Sequence, residues 1–226
     1  MIIPLFLDTD DQRFFPSDAR RVIAEICEAT DGEVRKLLPI LSDEIELAAE
    51  TGTRVIAETG ETATAVSGRR IRWIVNPALY GGLASIAGAQ LRCTLFHELH
   101  HVARGAVMEA NGPKPALMDA VVSEGLATVF ERDAAGRRSP WSEYPPEVTS
   151  WVEELLRVPA AASYRSWMFR HPDGRRWIGY RAGAYIADRA RQNAGLSAVD
   201  LVRASTYEVL GLAGIKGGNW RRRSSR

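Results

Sequence analysis

The run His97-Glu98-Leu99-His100-His101 holds the residues best suited to do chemistry, and it reads as HExxH. On a helix, positions four apart lie one turn above each other on one face, so His97 and His101 can turn imidazole nitrogens toward one ion. Two neutral imidazoles suit zinc. Glu98 falls on the neighbouring side, where it can take a proton from a metal-bound water without being a ligand itself. That arrangement performs metal-assisted hydrolysis. Three of the chain's four histidines fall inside this run, which concentrates the donors in one place. The alternative is an ordinary buried helix whose histidines are hydrogen-bonded core or surface groups, because so short a pattern also arises by chance.

A hydrolytic zinc takes three protein ligands and leaves a fourth position open. Glu124 is the candidate for the third. It lies in Ser123-Glu124-Gly125-Leu126-Ala127, an otherwise apolar stretch, and a buried carboxylate requires a partner such as a metal. Gly125 lowers helix stability by roughly 1 kcal/mol relative to Ala, and close approach of another backbone would compensate for it. The bland alternative makes Glu124 a solvated helix residue.

HELHH followed by SEGLA resembles the gluzincin branch of the zincins, and more narrowly the DUF2268 family of predicted Zn-dependent proteases. A later segment, Arg176-Trp177-Ile178-Gly179-Tyr180-Arg181-Ala182-Gly183, is similar to that family's Gly-Tyr-x-x-Gly region. The resemblance runs from near Arg54 to about Arg191. It implies a zincin fold, zinc held by His97, His101 and Glu124, Glu98 as general base, and a peptide or protein substrate. It also singles out Tyr180 as a candidate donor to the oxyanion formed when a carbonyl is attacked, with Arg181 beside it as a candidate substrate contact. The chain departs from familiar gluzincins one turn after Glu124. There Thr128 stands where an acidic residue can orient the first histidine.

Elements must position these groups. Gln90 to Val102 contains no Gly or Pro, and Leu91, Leu95, Leu99 and Val102 make an apolar stripe, so the metal helix is expected from about Ser85 to Arg104. Gly105 is its expected C-cap. A second helix is expected over Ala116 to Ala134. Upstream, Met1 to Asp8 reads as a strand or packed segment. Ser17 reads as the cap of a first helix and Asp31 as the cap of a second, which Pro39 should kink. Three strand-like runs follow, Thr53 to Thr59, Thr62 to Ser67 and Arg70 to Val75, in the pattern of an antiparallel meander. In zincins an edge strand above the metal helix binds extended substrate, and the third run, with Trp73, is the expected one; a plain structural strand is the alternative. Helices are further expected over Glu147 to Val158, Ala160 to Phe169, Trp177 to Asn193 and Leu196 to Ala204. His171 belongs to a turn.

Composition sets the frame. A net charge of +1 argues against nucleic-acid binding by bulk electrostatics. No apolar run approaches the eighteen or so residues that span a bilayer. The start lacks the basic region of a signal peptide, which favours the cytoplasm. Cys27 and Cys93 are expected to be reduced core thiols. Nothing in the sequence sets the oligomeric state. The expected molecule is a single α+β, mainly helical, zincin-like domain spanning 1–226. Within it lie a helical part over 1–50, a small antiparallel sheet over 53–76, metal-binding helices over 85–134, a helical part over 146–215 and an unstructured basic tail over 219–226. Its expected activity is zinc-dependent peptide hydrolysis. The competing reading is a non-catalytic zinc-binding or regulatory module on the same fold.

Overall fold

The computed structural model describes residues 1–7, 14–108, 116–159 and 162–215. The basic tail over 219–226 lies outside the described residues. By their internal contacts the residues sort into two units, Met1–Pro113 and Lys114–Arg226.

The first unit is a four-stranded sheet with helices on one face. Its elements are β1 (Ile2–Phe6), α1 (Ser17–Leu37), β2 (Ile45–Thr51), β3 (Glu61–Ser67), β4 (Arg70–Val75), α2 (Leu83–Ile86), a π-helical turn (Ala87–Leu91) and α3 (Arg92–Arg104). The strand order is β1-β2-β4-β3. β1 and β4 both pair with β2 in parallel, and only β3 and β4 form an antiparallel hairpin. The sheet is therefore mixed rather than the expected antiparallel meander. Parallel neighbours need a crossover, and α1 supplies it between β1 and β2. Ile45, Leu47, Ala49, Ile71, Trp73 and Val75 are fully buried. They alternate along β2 and β4, so they share the face that receives the helices. Ion pairs across the strands, Arg70 with Glu46 and Arg72 with Glu50, dress the other face.

Several sequence expectations change here. Ile45–Thr51 is a strand, not the end of a helical region. Its Glu, Leu and Ala residues favour helix locally, but a strand between two parallel neighbours satisfies its backbone on both edges and buries Ile45, Leu47 and Ala49 under the helices. The run Thr53 to Thr59 forms no strand; it makes an isolated bridge from Ile56 to Glu61 and a turn. α1 is one continuous helix because its buried stripe, Ala19, Ile23, Cys27, Thr30 and Val34, runs unbroken past Asp31. Pro16 precedes the helix without any side-chain cap from Ser17, and Asp31 instead pairs with Arg35 one turn on, at 2.8 Å. Pro39 falls beyond the helix end and kinks nothing. Cys27 and Cys93 are both buried, and burial, with the Asp31 charge assisting, pushes the Cys27 thiol up to about 12.

The second unit is helical: α4 (Leu117–Ala135), α5 (Val148–Arg157), α6 (Tyr164–Met168), α7 (Ile178–Ala194) and α8 (Thr206–Leu212). α4 is buried along almost its whole length, with apolar residues all round, as a central helix must be. α7 lies alongside it in the same direction. A side chain on Gly179 would touch Val121, one on Gly183 would meet the Gly125 backbone, and Arg132 pairs with Asp188. The expected helix over Leu196 to Ala204 is a series of turns, because Ser197 and Asp200 hydrogen-bond to each other's backbone and close the chain locally. The helix in this region is α8, started by a capping box between Ser205 and Glu208. His171 sits in the expected turn, half-buried, with Nδ1 at 2.9 Å from Asp173.

Asp188 clamps the far end of the α4–α7 pair. Arg132 donates to both its oxygens at 2.9 and 2.8 Å, Arg191 donates at 3.3 Å and the Tyr144 hydroxyl at 3.3 Å. Removing one partner of a buried ion pair strands the other charge. The Arg132 side chain keeps 20% exposure, which reduces the penalty. Asp188→Ala is expected to destabilise the chain by roughly 2–3 kcal/mol, below the range for fully buried pairs. Chemical denaturation checks this, and a midpoint equal to wild type would count against the clamp.

Candidate metal centre

α3 exists because its apolar residues recur at helical spacing, and Gly105, at φ 75, ends it with backbone bonds back to His101 and Val102. The π turn immediately before it inserts a residue into the helical register, a feature that often accompanies functional sites. His97, Glu98 and His101 are all buried, at 8, 7 and 6% exposure. The Nε2 atoms of His97 and His101 lie 3.1 Å apart. Helical spacing alone would let the two rings diverge; here they converge on one point.

Glu98 is fixed from the sheet. Its Oε2 accepts the backbone N–H of Ala65 at 2.7 Å. Ala65 lies in β3, an edge strand that packs against α3. Its carbonyl also turns to the free edge and accepts the N–H of Met108 at 2.8 Å. Thr94, one turn before Glu98, donates to Glu61 Oε1 at 3.0 Å. Sequence reasoning missed Ala65 and Glu61, since a backbone amide and a lone strand glutamate carry no motif.

Trp73 is corrected. β4 is an interior strand between β2 and β3, not an edge, and Trp73 is fully buried with Nε1 donating to Glu61 at 2.7 Å. It is out of reach of any substrate. An edge position depends on which strands pair, and the local pattern of β4 does not contain that information.

In the second unit, Glu124 is half-buried on α4. Its neighbour Gly125 has the role the sequence suggested, because any side chain there would overlap the Gly183 backbone. Burial and then the Glu124 charge hold the Tyr164 phenol above its ordinary range, which marks Tyr164 as a neighbour of that carboxylate that no motif disclosed. Tyr180 is half-buried in an aromatic cluster, its ring centroid 5.7 Å from Trp177, 5.8 Å from Trp141 and 6.2 Å from Phe169. Arg181 donates to the Pro140 carbonyl at 3.2 Å.

An α+β chain with a buried pair of converging histidines and an adjacent carboxylate on one helix is equipped to bind a metal. The chain belongs to the DUF2268 family of predicted Zn-dependent proteases, whose model matches residues 18–211. No curated protein matches it. Among the described residues no helix is long and apolar enough to cross a membrane.

Proposed function

We propose that the chain is a zinc metallopeptidase of the zincin type. The observation that carries this reading is the pair of buried imidazoles whose Nε2 atoms converge to 3.1 Å, beside a carboxylate tethered to an edge strand. Two histidine nitrogens so placed fit zinc, which favours imidazole and carboxylate donors. His97 and His101 would hold the ion, with Glu124 as the third ligand, on the strength of the residue order and the family. Zinc bound there supplies a Lewis acid that polarises the scissile carbonyl and lowers the pKa of water to about 7.

The chain's own groups do the rest. Glu98 takes a proton from the attacking water and passes it to the departing amine. The Ala65 amide keeps that carboxylate in one orientation while it does so. The Tyr180 hydroxyl donates to the developing oxyanion, and Arg181 meets the substrate main chain. β3, as an edge strand packed on α3, takes the place expected of β4, and an extended peptide meets it between the Ile56–Glu61 bridge and the Met108–Ala65 bond.

Two measurements test the reading. Elemental analysis of the zinc-loaded full chain is expected to find a single zinc, lost from a His97→Ala, His101→Ala double variant and weakened in Glu124→Ala. A peptide library is expected to be cleaved, with cleavage stopped by chelator and restored by zinc. Full zinc retention in the double variant would overturn the ligand assignment. Binding without any cleavage would favour a regulatory module.

Tyr180→Phe separates chemistry from packing. The ring contacts with Trp141, Phe169 and Trp177 survive the change, and only the hydroxyl is lost. The expected result is a fall of about 100- to 1,000-fold in kcat, with KM and bound zinc unchanged. A fall below about threefold would return Tyr180 to packing alone.

A further inference from the structure

We infer that Glu61 is a positioning residue that sets the rotation and depth of the HExxH helix on β3. Glu61 is 4% exposed. A carboxylate so deeply buried is tolerated only when its oxygens receive hydrogen bonds. Here Trp73 Nε1 donates to Oε2 at 2.7 Å and Thr94 Oγ1 donates to Oε1 at 3.0 Å. Trp73 therefore serves as the rigid anchor that aims the carboxylate, and Thr94 is the helix residue it holds.

The geometry explains why the tether matters to Glu98. Thr94 and Glu98 are four apart on α3 and share a face. Glu61 and Ala65 are four apart on β3, and they meet Thr94 and Glu98 respectively. Four strand residues span about 13 Å whereas four helical residues span about 6 Å. The two anchor points therefore lie farther apart on β3 than on α3, and the Glu61 side chain spans the offset left at the end away from Ala65. Two bonds at different points on one helix face, one buried and one part-buried, oppose both sliding and rolling. Removing the first leaves one of these two tethers, the Ala65–Glu98 bond, about which this face of the helix can turn.

The consequence for turnover rests on the reading of Glu98 as general base; the placement of α3 does not. The test follows hydrogen exchange of the Ala65 amide by NMR in the metal-free full chain. Wild type is expected to exchange slowly at Ala65, and Glu98→Ala sets the fast limit. Thr94→Val, which keeps shape and removes the donor, is expected to speed Ala65 exchange about tenfold or more while the β1–β2 amides keep their protection. Thr94→Ser should restore the wild-type rate. Trp73→Phe, which keeps most of the ring and removes the indole N–H, should act in the same direction as Thr94→Val. In the zinc-loaded protein, Thr94→Val should lower kcat about 10- to 100-fold with KM and zinc content unchanged. Unchanged Ala65 exchange in both Thr94→Val and Trp73→Phe overturns the proposal. Uniform acceleration across the whole sheet also does, since that is what a merely structural residue would give. Failure of the wild type to bind zinc or cleave peptide would sink the metallopeptidase reading and leave the exchange result standing.

Discussion

Glu98→Gln is expected to abolish peptide hydrolysis while leaving the fold and the metal content unchanged. The substitution is nearly isosteric. Its amide oxygen can still accept the Ala65 N–H, now held by Oε2 at 2.7 Å, so the link between α3 and β3 survives. What disappears is basicity, because an amide cannot take a proton from water at neutral pH. A positioned general base contributes about 100- to 10,000-fold, so kcat should fall by that factor. KM should hold, since the group acts in the transition state and not in substrate binding. Single-turnover assays on a confirmed peptide, with zinc measured on the same sample, decide the matter. A variant that cleaves as fast as wild type removes Glu98 from the mechanism.

Gly125→Ala is the substitution expected to damage the second unit most. A methyl group there would lie 2.1 Å from the Gly183 backbone, far inside van der Waals contact. Overlap with a flexible side chain can be relieved by a rotamer change, but here the obstacle is main chain, and α4 and α7 would have to part. Overpacking of a tight core costs about 1–3 kcal/mol and more where nothing yields, so a loss of at least about 3 kcal/mol is expected. Gly211→Ala is the internal control. Gly211 lies in α8 with open space around it, and alanine there should stabilise by up to about 1 kcal/mol through helix propensity. Denaturant unfolding of the two variants beside wild type tests both statements. Equal midpoints for Gly125→Ala and wild type would show that the helices separate without strain.

The two glycine segments illustrate what a sequence can disclose. Gly125 follows Glu124 in SEGLA, and Gly183 ends the segment similar to the family's Gly-Tyr-x-x-Gly region. Gly125 was legible as a place of close approach, but Gly183 was not legible as its partner. Side-chain absence is a local fact, while the identity of the neighbour depends on how α4 and α7 dock.

The strands show the opposite limit. Residues 45–51 have helix-forming composition, and only their place between β1 and β4 makes them a strand. The same pairing moved the edge of the sheet from β4 to β3, and with it turned Trp73 from a surface candidate into the anchor of Glu61. Pairing choices are long-range, and hydrophobic alternation along one strand is equally compatible with an interior or an edge position.

The sequence by itself determined the HExxH helix, its glycine stop, the α4 helix with its carboxylate, and the helical character of most of the described chain after residue 116. Each follows from periodicity, capping residues or a motif whose spacing is set by one helical turn. The tertiary structure alone decided that the histidine nitrogens converge, that a backbone amide of β3 orients Glu98, and that a buried glutamate from the same strand holds the helix through Thr94. The last two are contacts between residues more than thirty positions apart in the chain. They form only after the sheet has chosen its strand order and α3 has packed against its edge.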